Sequence, residues 1–406
     1  MMSGTEEARE RLTRARGRDA VASAIATATA IAPLRVLIVA PSLDILGGQA
    51  VQAERLIERL REEPSLDVTF LPINPPFPKA LAKVQGVKYV RSIRTTLLYW
   101  ATLLARVRKY DVIHIFSASY LSFLISPTPA LLAARFYGKK SVLNYHSGQA
   151  EEHLKSWKRT AIPTIRLADM TIVQSEYLVD VFARFGLTAH AIFNHIETER
   201  FRFRERRDVR PLFLSNRNLE PIYNVGCVLR AFALVQQRFP DARLTVAGDG
   251  SQRAELEKLA RDLNLRHVEF TGLIAPDKMV ELYDAADIFL NGSEVDNMPL
   301  SLLEAFAAGL PVVTTNAGGI PYIVADEETG FVIPMGDHAA MAERAIRLLT
   351  DNELALKMTK RAREECARYS WAAVRNKWLG VYQALAHERV VAGNQHAACD
   401  GASANE

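Results

Sequence analysis

Hydrophobic positions fall into short unbroken runs separated by longer amphipathic stretches, and the two alternate along most of the chain. From Leu34 the run RVLIVA leads through the turn Leu46-Gly47-Gly48 into a helical pattern around Ala50–Arg61. Next come the strand DVTFLPI, a proline-rich loop at Asn74–Pro78 and a helix near Ile93–Lys109. VIHIF, a helix around Pro129–Tyr137, SVLNYH, a further helix, MTIVQS and a helix at Glu176–Phe185 follow, and AIFNHI closes the series. After the arginine-rich FRFRERRDVR the alternation restarts with PLFLSNR, a helix at Val225–Phe239, RLTVAGDG, a helix at Arg253–Leu263 and HVEFTG. It ends with a helix at Lys278–Ala285, DIFLNG, a helix at Pro299–Ala308, PVVTT and a helix from Pro321. Continuous apolar strands alternating with helices predict parallel sheets covered on both faces. Two such series joined by a linker predict an α/β protein of two Rossmann-like domains, residues 34–200 and 201–370, facing a cleft lined by the loops after the strands. A helix over 371–390 is expected to pack back on the first domain. Residues 391–406, polar and rich in small side chains, read as a disordered tail.

Composition narrows the class. A chain of 406 residues, 49% hydrophobic and 24% charged, has core enough without staples. Three cysteines without CxxC spacing exclude a disulfide framework and a zinc ribbon, and fit a reducing cytoplasm. No apolar run approaches the roughly 18 residues of a membrane-spanning helix. RLTRARGRD before VASAIATATAIA has the outline of a signal peptide. Its apolar run is Ala/Thr-rich without leucine, however, and a strand begins at Leu34, so residues 1–33 read as a variable extension.

Three glycine loops lie between strands and helices: Gly47-Gly48, Gly248-Asp249-Gly250 and Gly318-Gly319. Each could be a plain tight turn. Three of them in two facing sheets favour a phosphate-rich ligand held by backbone amides, and their spacing is not the GxGxxG of a dinucleotide fold. The helix PLSLLEAFAA is apolar nearly all round and therefore buried, which makes the carboxylate of Glu304 costly unless it meets donors. Asp296 stands at the carboxyl end of DIFLNG. A structural ion pair would account for Glu304; so would hydrogen bonds from the hydroxyls of a ligand.

The stretch DNMPLSLLEAFAAGLPVVTTNAGGIPYIV resembles the signature of family-four retaining glycosyltransferases with the GT-B fold, supported by LTVAGDG, FTGLI, ELYDAADIFL, IFNHIETERF and YSWAAVRNKWLGVYQAL. The resemblance implies transfer from a nucleotide sugar (UDP or GDP) to a glycan or lipid-linked acceptor, without a cofactor or metal. It places Glu304 at the nucleotide ribose, Asp296 at the donor sugar, where the family carries glutamate, and Arg217 at the diphosphate. His146 falls on the donor-sugar side, and Asn297 and Met298 join the glycines Gly47, Gly48, Gly248, Gly250, Gly318 and Gly319 as donor-side candidates. A lysine usual about five residues after Arg217 is missing; Ile222, Tyr223 and Asn224 stand there. The resemblance implies front-face attack, with the leaving phosphate taking the acceptor proton. Alternatives are a degenerate nucleotide-sugar binder or scaffold, or a sugar-nucleotide epimerase or phosphorylase of the same fold. His114, inside an apolar strand, reads as a core histidine.

Charge adds one expectation. Residues 1–200 carry 26 Lys+Arg against 18 Asp+Glu, a net of +8, within a whole-chain net of +4. From Val68 to Ala150 eleven basic residues meet one acid, Asp111, and Lys79, Lys83, Lys88, Arg91 and Arg94 lead the stretch with Phe77, Tyr89, Tyr99 and Trp100 interleaved. This predicts a cytoplasmic protein docking peripherally on an anionic membrane, the alternative being a solvated basic face. Nucleic acid is not expected, since no nucleic-acid motif accompanies the charge.

Overall fold

The computed structural model describes residues 32–42, 48–75, 88–117 and 119–402, with side chains for all of these except 88–92 and 388–402. Two all-parallel six-stranded sheets form among them. The first comprises β1 (Leu34–Ala40), β2 (Leu66–Pro72), β3 (Val112–Ser117), β4 (Lys140–Tyr145), β5 (Met170–Val173) and β6 (His190–Ala191), in the order β2-β1-β3-β4-β5-β6. The second comprises β7 (Leu212–Asn216), β8 (Arg243–Ala247), β9 (Val268–Gly272), β10 (Ile288–Asn291), β11 (Val312–Thr315) and β12 (Phe331–Ile333), in the order β12-β11-β10-β7-β8-β9. The order reverses at β1/β3 in one sheet and at β10/β7 in the other, and crevices open at the strand ends beside such reversals.

Helices cover both faces. In the first domain these are α1 (Gly48–Arg61), α2 (Lys88–Val107), α3 (Tyr120–Ile125), α4 (Pro127–Phe136), α5 (Ala150–Ser156), α6 (Lys158–Ile165) and α7 (Glu176–Arg184). In the second they are α8 (Val225–Arg238), α9 (Arg253–Asp262), α10 (Pro276–Ala285), α11 (Leu300–Ala308), α12 (His338–Thr350) and α13 (Asn352–Glu365). The final helix, α14 (Trp371–Ala402), returns to the first sheet. Period-two alternation divides the strands between cores. Leu37, Val39, Ile113 and Ile115 face Tyr99, Leu103 and Val107 of α2, while Val36, Ile38, Val112 and Phe116 face Leu56 and Leu60 of α1 and Val374, Trp378 and Tyr382 of α14.

Three local expectations change. The helix expected from Pro321 is a single 3-10 turn, Ile320–Tyr322. β-Branched Ile320, Ile323 and Val324, poor helix formers, are all drawn into the core beside α11, and the chain proceeds to β12. The helical backbone of α14 continues past residue 390 to Ala402 where a disordered tail was expected. That segment is proline-free and holds four alanines, so nothing in it blocks the helix from running on, although Gly393 and Gly401 weaken it. Tyr99, counted with the membrane-facing aromatics, is a core residue at 1% exposure with its hydroxyl donating to the Ser126 carbonyl (2.9 Å).

The arginine-rich linker is a clamp. Asp287, fully buried before β10, accepts from Arg204 and from the Arg210 backbone and side chain (both 2.8 Å to Oδ2), while Arg206, 2% exposed, lies 3.4 Å away and donates to the carbonyls of Tyr283, Ala286 and Ala308. Burial would raise the Asp287 carboxyl, but the bonds from Arg210 and Arg204 reverse this and hold it below the usual range.

Histidines His114, His153 and His195 are 0%, 0% and 3% exposed. Burial lowers them to about 3, 4 and 4. A depressed histidine pKa means that the unfolded chain binds more protons below pH 6.5, so stability falls as pH drops from there. Replacing His114 by Asn is expected to remove about 1.4 kcal/mol of the stability lost between pH 7.5 and 5.5. Urea unfolding at both values measures it; an unchanged pH difference would refute the assignment.

Candidate active site

The cleft sits at the carboxyl ends of the strands, between the domains, with a volume of about 560 Å³. From the second domain come Asn216–Asn218 at the end of β7, Ile222 and Tyr223, Val295–Ser301 running from the loop after β10 into α11, and Glu304 of α11. From the first come Gly48, Gln49, Val51, Gln52 and Arg55 of α1, His146–Gln149 after β4, Gln174 after β5 and Asn194. Arg217, Asp296, Asn297, Met298, Glu304, His146 and Gly48 are thus brought to one cavity. Gly47 lies outside the described residues.

Arg217 is fixed on three sides. It pairs with the Asp296 carboxylate, its Nη1 donates to Ser301 Oγ (3.3 Å), and its guanidinium lies over the Tyr223 ring at 4.1 Å. Its Nε is buried without a partner. Asp296 also accepts from the Asn297 amide (3.0 Å) and Ser293 Oγ (3.4 Å). Burial pushes the Asp296 carboxyl upward against the pull of Arg217. Glu304 accepts at Oε2 from the buried Tyr283 hydroxyl (3.0 Å), itself bonded to Asn216. Burial raises Glu304, opposed first by the charge of Arg55 and then by the Tyr283 bond.

Arg55 was missed in the sequence. It lines the cleft from α1, one helical turn from Val51 and Gln52, and makes no hydrogen bond to a described residue. The signal was periodic: Gly48, Val51, Gln52 and Arg55 recur at helical spacing on one side of α1. By contrast, Asn224, near the absent lysine, is committed elsewhere. Its backbone is left-handed (φ +38°), its side chain caps α8 at the Cys227 amide, and Nδ2 donates to Glu294 (2.7 Å).

His146 stacks on Phe116 (4.9 Å between centroids) and its Nε2 is buried without a partner. Burial lowers its pKa to about 3, so it is neutral at physiological pH. His114 is a core histidine with both ring nitrogens bonded, to Tyr382 Oη (2.7 Å) and Asn144 Nδ2 (3.1 Å). Because an amide nitrogen can only donate, His114 Nε2 accepts and Nδ1 carries the proton. From there a chain of amides crosses the domain interface: Asn297 Nδ2 donates to Gln174 Oε1 (3.3 Å), and Gln174 Nε2 donates to Asn144 Oδ1 (2.9 Å). Ser175 Oγ closes the crossing by donating to Asn297 Oδ1.

The second-domain glycine loops, expected to hold phosphate, support the segments that line the cleft. Gly248, Gly250, Gly318 and Gly319 do not line the cleft. The amides of Gly248, Gly250 and Gly319 are already donated, to the Gly272 carbonyl, Asp249 Oδ1 and the Asp296 carbonyl. A Cβ at Gly248 or Gly250 would strike the Arg217 or Leu219 carbonyl, and one at Gly318 or Gly319 the carbonyl of Asp296 or Asn297. These glycines let supporting loops press against the segments that carry the site residues.

Among the described residues no cluster of three His, Cys, Asp or Glu side chains could hold a metal ion, and no helix is long and apolar enough to cross a membrane.

Residues 46–200 match the model of Glycosyltransferase Family 4, and residues 197–365 match that of Glycosyl transferases group 1. Between them the two cover the cleft from both sides, and the chain belongs to this glycosyltransferase family. It is similar to sulfoquinovosyl transferase SQD2 of Arabidopsis thaliana (29% identity over 71% of this chain and 60% of that one). It is also similar to a GDP-mannose-dependent alpha-(1-6)-phosphatidylinositol monomannoside mannosyltransferase of Mycobacterium tuberculosis (28%, over 73% and 82%). The chain therefore spans less than two thirds of the Arabidopsis enzyme. Among solved structures, Anabaena Alr3699/HepE in complex with UDP and glucose superposes with a TM-score of 0.68 at 18% identity, covering 86% of this chain and all of that one. Sucrose-phosphate synthase of Thermosynechococcus elongatus gives 0.66 at 19%, covering 87% and 99%. The fold is GT-B, two Rossmann-like domains facing a cleft.

Gly319→Ala is expected to displace the Asp296–Asn297 carbonyls and with them the carboxylate. A misplacement of about 1 Å can cost on the order of 10² in rate, so turnover should fall about a hundredfold while the circular dichroism spectrum is retained. Wild-type turnover in that variant would show that the buttress is not needed.

Proposed function

We propose that the chain transfers a sugar from a UDP- or GDP-sugar to a glycan or lipid-linked acceptor, with retention of anomeric configuration and without a metal. The observation that carries this reading is the mixed lining of one cleft: two cations, Arg217 and Arg55, beside two carboxylates, buried Asp296 and half-buried Glu304. A nucleoside diphosphate sugar needs both, cations for its diphosphate and acceptors for its hydroxyls. The names of two similar proteins support the donor class, one GDP-mannose-dependent and one holding UDP.

Breaking the anomeric C–O bond leaves positive charge on the sugar and negative charge on the departing diphosphate. Arg217, held in advance, offsets the latter without reorganising, the property that makes fixed charges effective in a dry site. Arg55 takes the place of the missing lysine from across the cleft, its guanidinium bonded to none of the described residues. Asp296 keeps an acceptor for a sugar hydroxyl beside Arg217, one methylene shorter than the family glutamate. Glu304, fixed through Oε2, leaves Oε1 for the ribose hydroxyls. Neutral His146 offers Nε2 to the donor sugar. Gly48, opening α1 at the cleft, leaves space for the phosphates. The leaving phosphate oxygen takes the acceptor proton as the new glycosidic bond forms on the same face.

Two substitutions test this. Arg217→Ala should lower turnover about 10²–10³-fold. Glu304→Ala should weaken nucleotide-sugar binding about ten- to a hundredfold, as expected for a charged hydrogen bond, with thermal melting of the unliganded protein unchanged. Normal donor affinity in the Glu304 variant would make that carboxylate structural. NMR of the product reads the anomeric configuration, and inversion would contradict the mechanism.

A further inference from the structure

Helix α2 carries two apolar faces, and only one is used. Tyr99, Leu103 and Val107 are buried against the first sheet. Ile93, Leu97, Trp100 and Leu104 are 62%, 55%, 38% and 49% exposed. Their spacing of four, three and four residues puts them within an arc of about 60°, a narrow apolar stripe about 16 Å long. The Trp100 indole N–H is already satisfied by the Ile125 carbonyl (2.9 Å), so what the ring shows to solvent is hydrocarbon. On the adjoining helix α4, Leu132 and Phe136, four residues apart, are 52% and 80% exposed. Contiguous exposed apolar side chains of this kind mark an interaction surface.

The flanking charge says what the surface meets. Arg106, Arg108, Lys109 and Arg135 are exposed on the same two helices and the turn after α2. Asp111, the one acid between Lys88 and Ala150, is neutralised by Arg35 (2.9 Å). An apolar stripe with a collar of one sign is the pattern of a helix lying in the interface of an anionic bilayer. A tryptophan with its polar atom satisfied is suited to the same depth. Since α2 follows β2, its first turn lies toward the carboxyl edge of the sheet, where the cleft opens.

We propose that Ile93, Leu97, Trp100 and Leu104 insert into an anionic lipid surface, with Arg108 and Lys109 at the end of the stripe meeting the headgroups, so that a lipid-linked acceptor meets the mouth of the cleft. The choice of acceptor rests on the proposed transferase reading; the lipid surface itself does not. The stripe adds an inserted aliphatic face to the basic and aromatic docking expected from sequence. Of the residues invoked for that docking, Lys79, Lys83 and Phe77 lie outside the described residues, as do the side chains of Lys88, Tyr89 and Arg91.

Flotation of the full chain with phosphatidylcholine vesicles, with and without phosphatidylglycerol, tests it. The wild type should float with the anionic vesicles and be retained in part at about 0.5 M salt, where charge attraction is screened. Leu97→Glu combined with Leu104→Glu should reduce the bound fraction at least tenfold at both salt concentrations. Arg108→Glu with Lys109→Glu should reduce it several-fold at low salt only. Thermal shift by UDP and GDP, read on every variant, should match the wild type and so confirms folding and cleft integrity. Wild-type flotation of the leucine variant would overturn the proposal. So would a wild-type dimer in sedimentation that the same variant converts to monomer without changing flotation, because the occupant would then be a second copy. Failure of nucleotide sugars to react or shift the melting temperature, with flotation intact, would overturn the transferase reading instead.

Discussion

Close approach of backbone to backbone governs the second half of the cleft. The segments Arg217–Leu219 and Asp296–Asn297 carry its charged side chains, and each is backed by a loop whose glycines have no room for a Cβ. Without that contact the Arg217–Asp296 pair would have to be held by side chains alone. Burying two charges costs several kcal/mol per ion unless geometry and further hydrogen bonds compensate. Here the compensation is specific: Ser301 and Tyr223 on the guanidinium, Ser293 and the Asn297 amide on the carboxylate. The pair is therefore preorganised, and its position is as fixed as the main chain beneath it.

Two arginine groups in this chain do different work, and the difference lies in what they meet. Arg204, Arg206 and Arg210 surround Asp287 and a set of main-chain carbonyls away from the cleft, and all their donors except the buried Arg204 Nε are directed at those groups or at solvent. Arg217 keeps a buried unpartnered Nε, and Arg55 faces the same cavity with no hydrogen bond to a described residue. Donors left over in a cavity have a ligand as their natural partner. The amide chain from Asn297 through Gln174 and Asn144 to His114 and Tyr382 ties that cavity to the first domain and to α14. Each amide along it is bonded on both sides, so separating the domains would leave buried donors and acceptors unpaired, which favours the placement seen.

Much of this was legible in the sequence. Short apolar runs between amphipathic stretches mark the two parallel sheets, and Glu304 stands out as a lone acid in an apolar helix. What sequence pattern could not supply was direction. The glycine loops looked like anion cradles, yet they serve the neighbouring loops, because spacing reports that a side chain is absent and not what fills its place. Arg55 was overlooked because one arginine on an amphipathic helix resembles any solvated charge until the facing domain is built. The exposed stripe of α2 was hidden by the second apolar face beside it, which makes the helix read as ordinary core. The short turn at Ile320–Tyr322 followed tertiary burial over local pattern.

The proposed transfer requires Arg217 and Arg55 to hold the donor diphosphate without help from a metal. Calorimetric titration of the full chain with UDP and UMP, and with GDP and GMP, in buffer containing EDTA tests it most directly. If the two guanidinium groups grip the second phosphate, the diphosphate of the preferred base binds at least tenfold tighter than its monophosphate, a difference of about 1.4 kcal/mol or more. Equal affinities, or diphosphate binding that appears only when magnesium is restored, would contradict it.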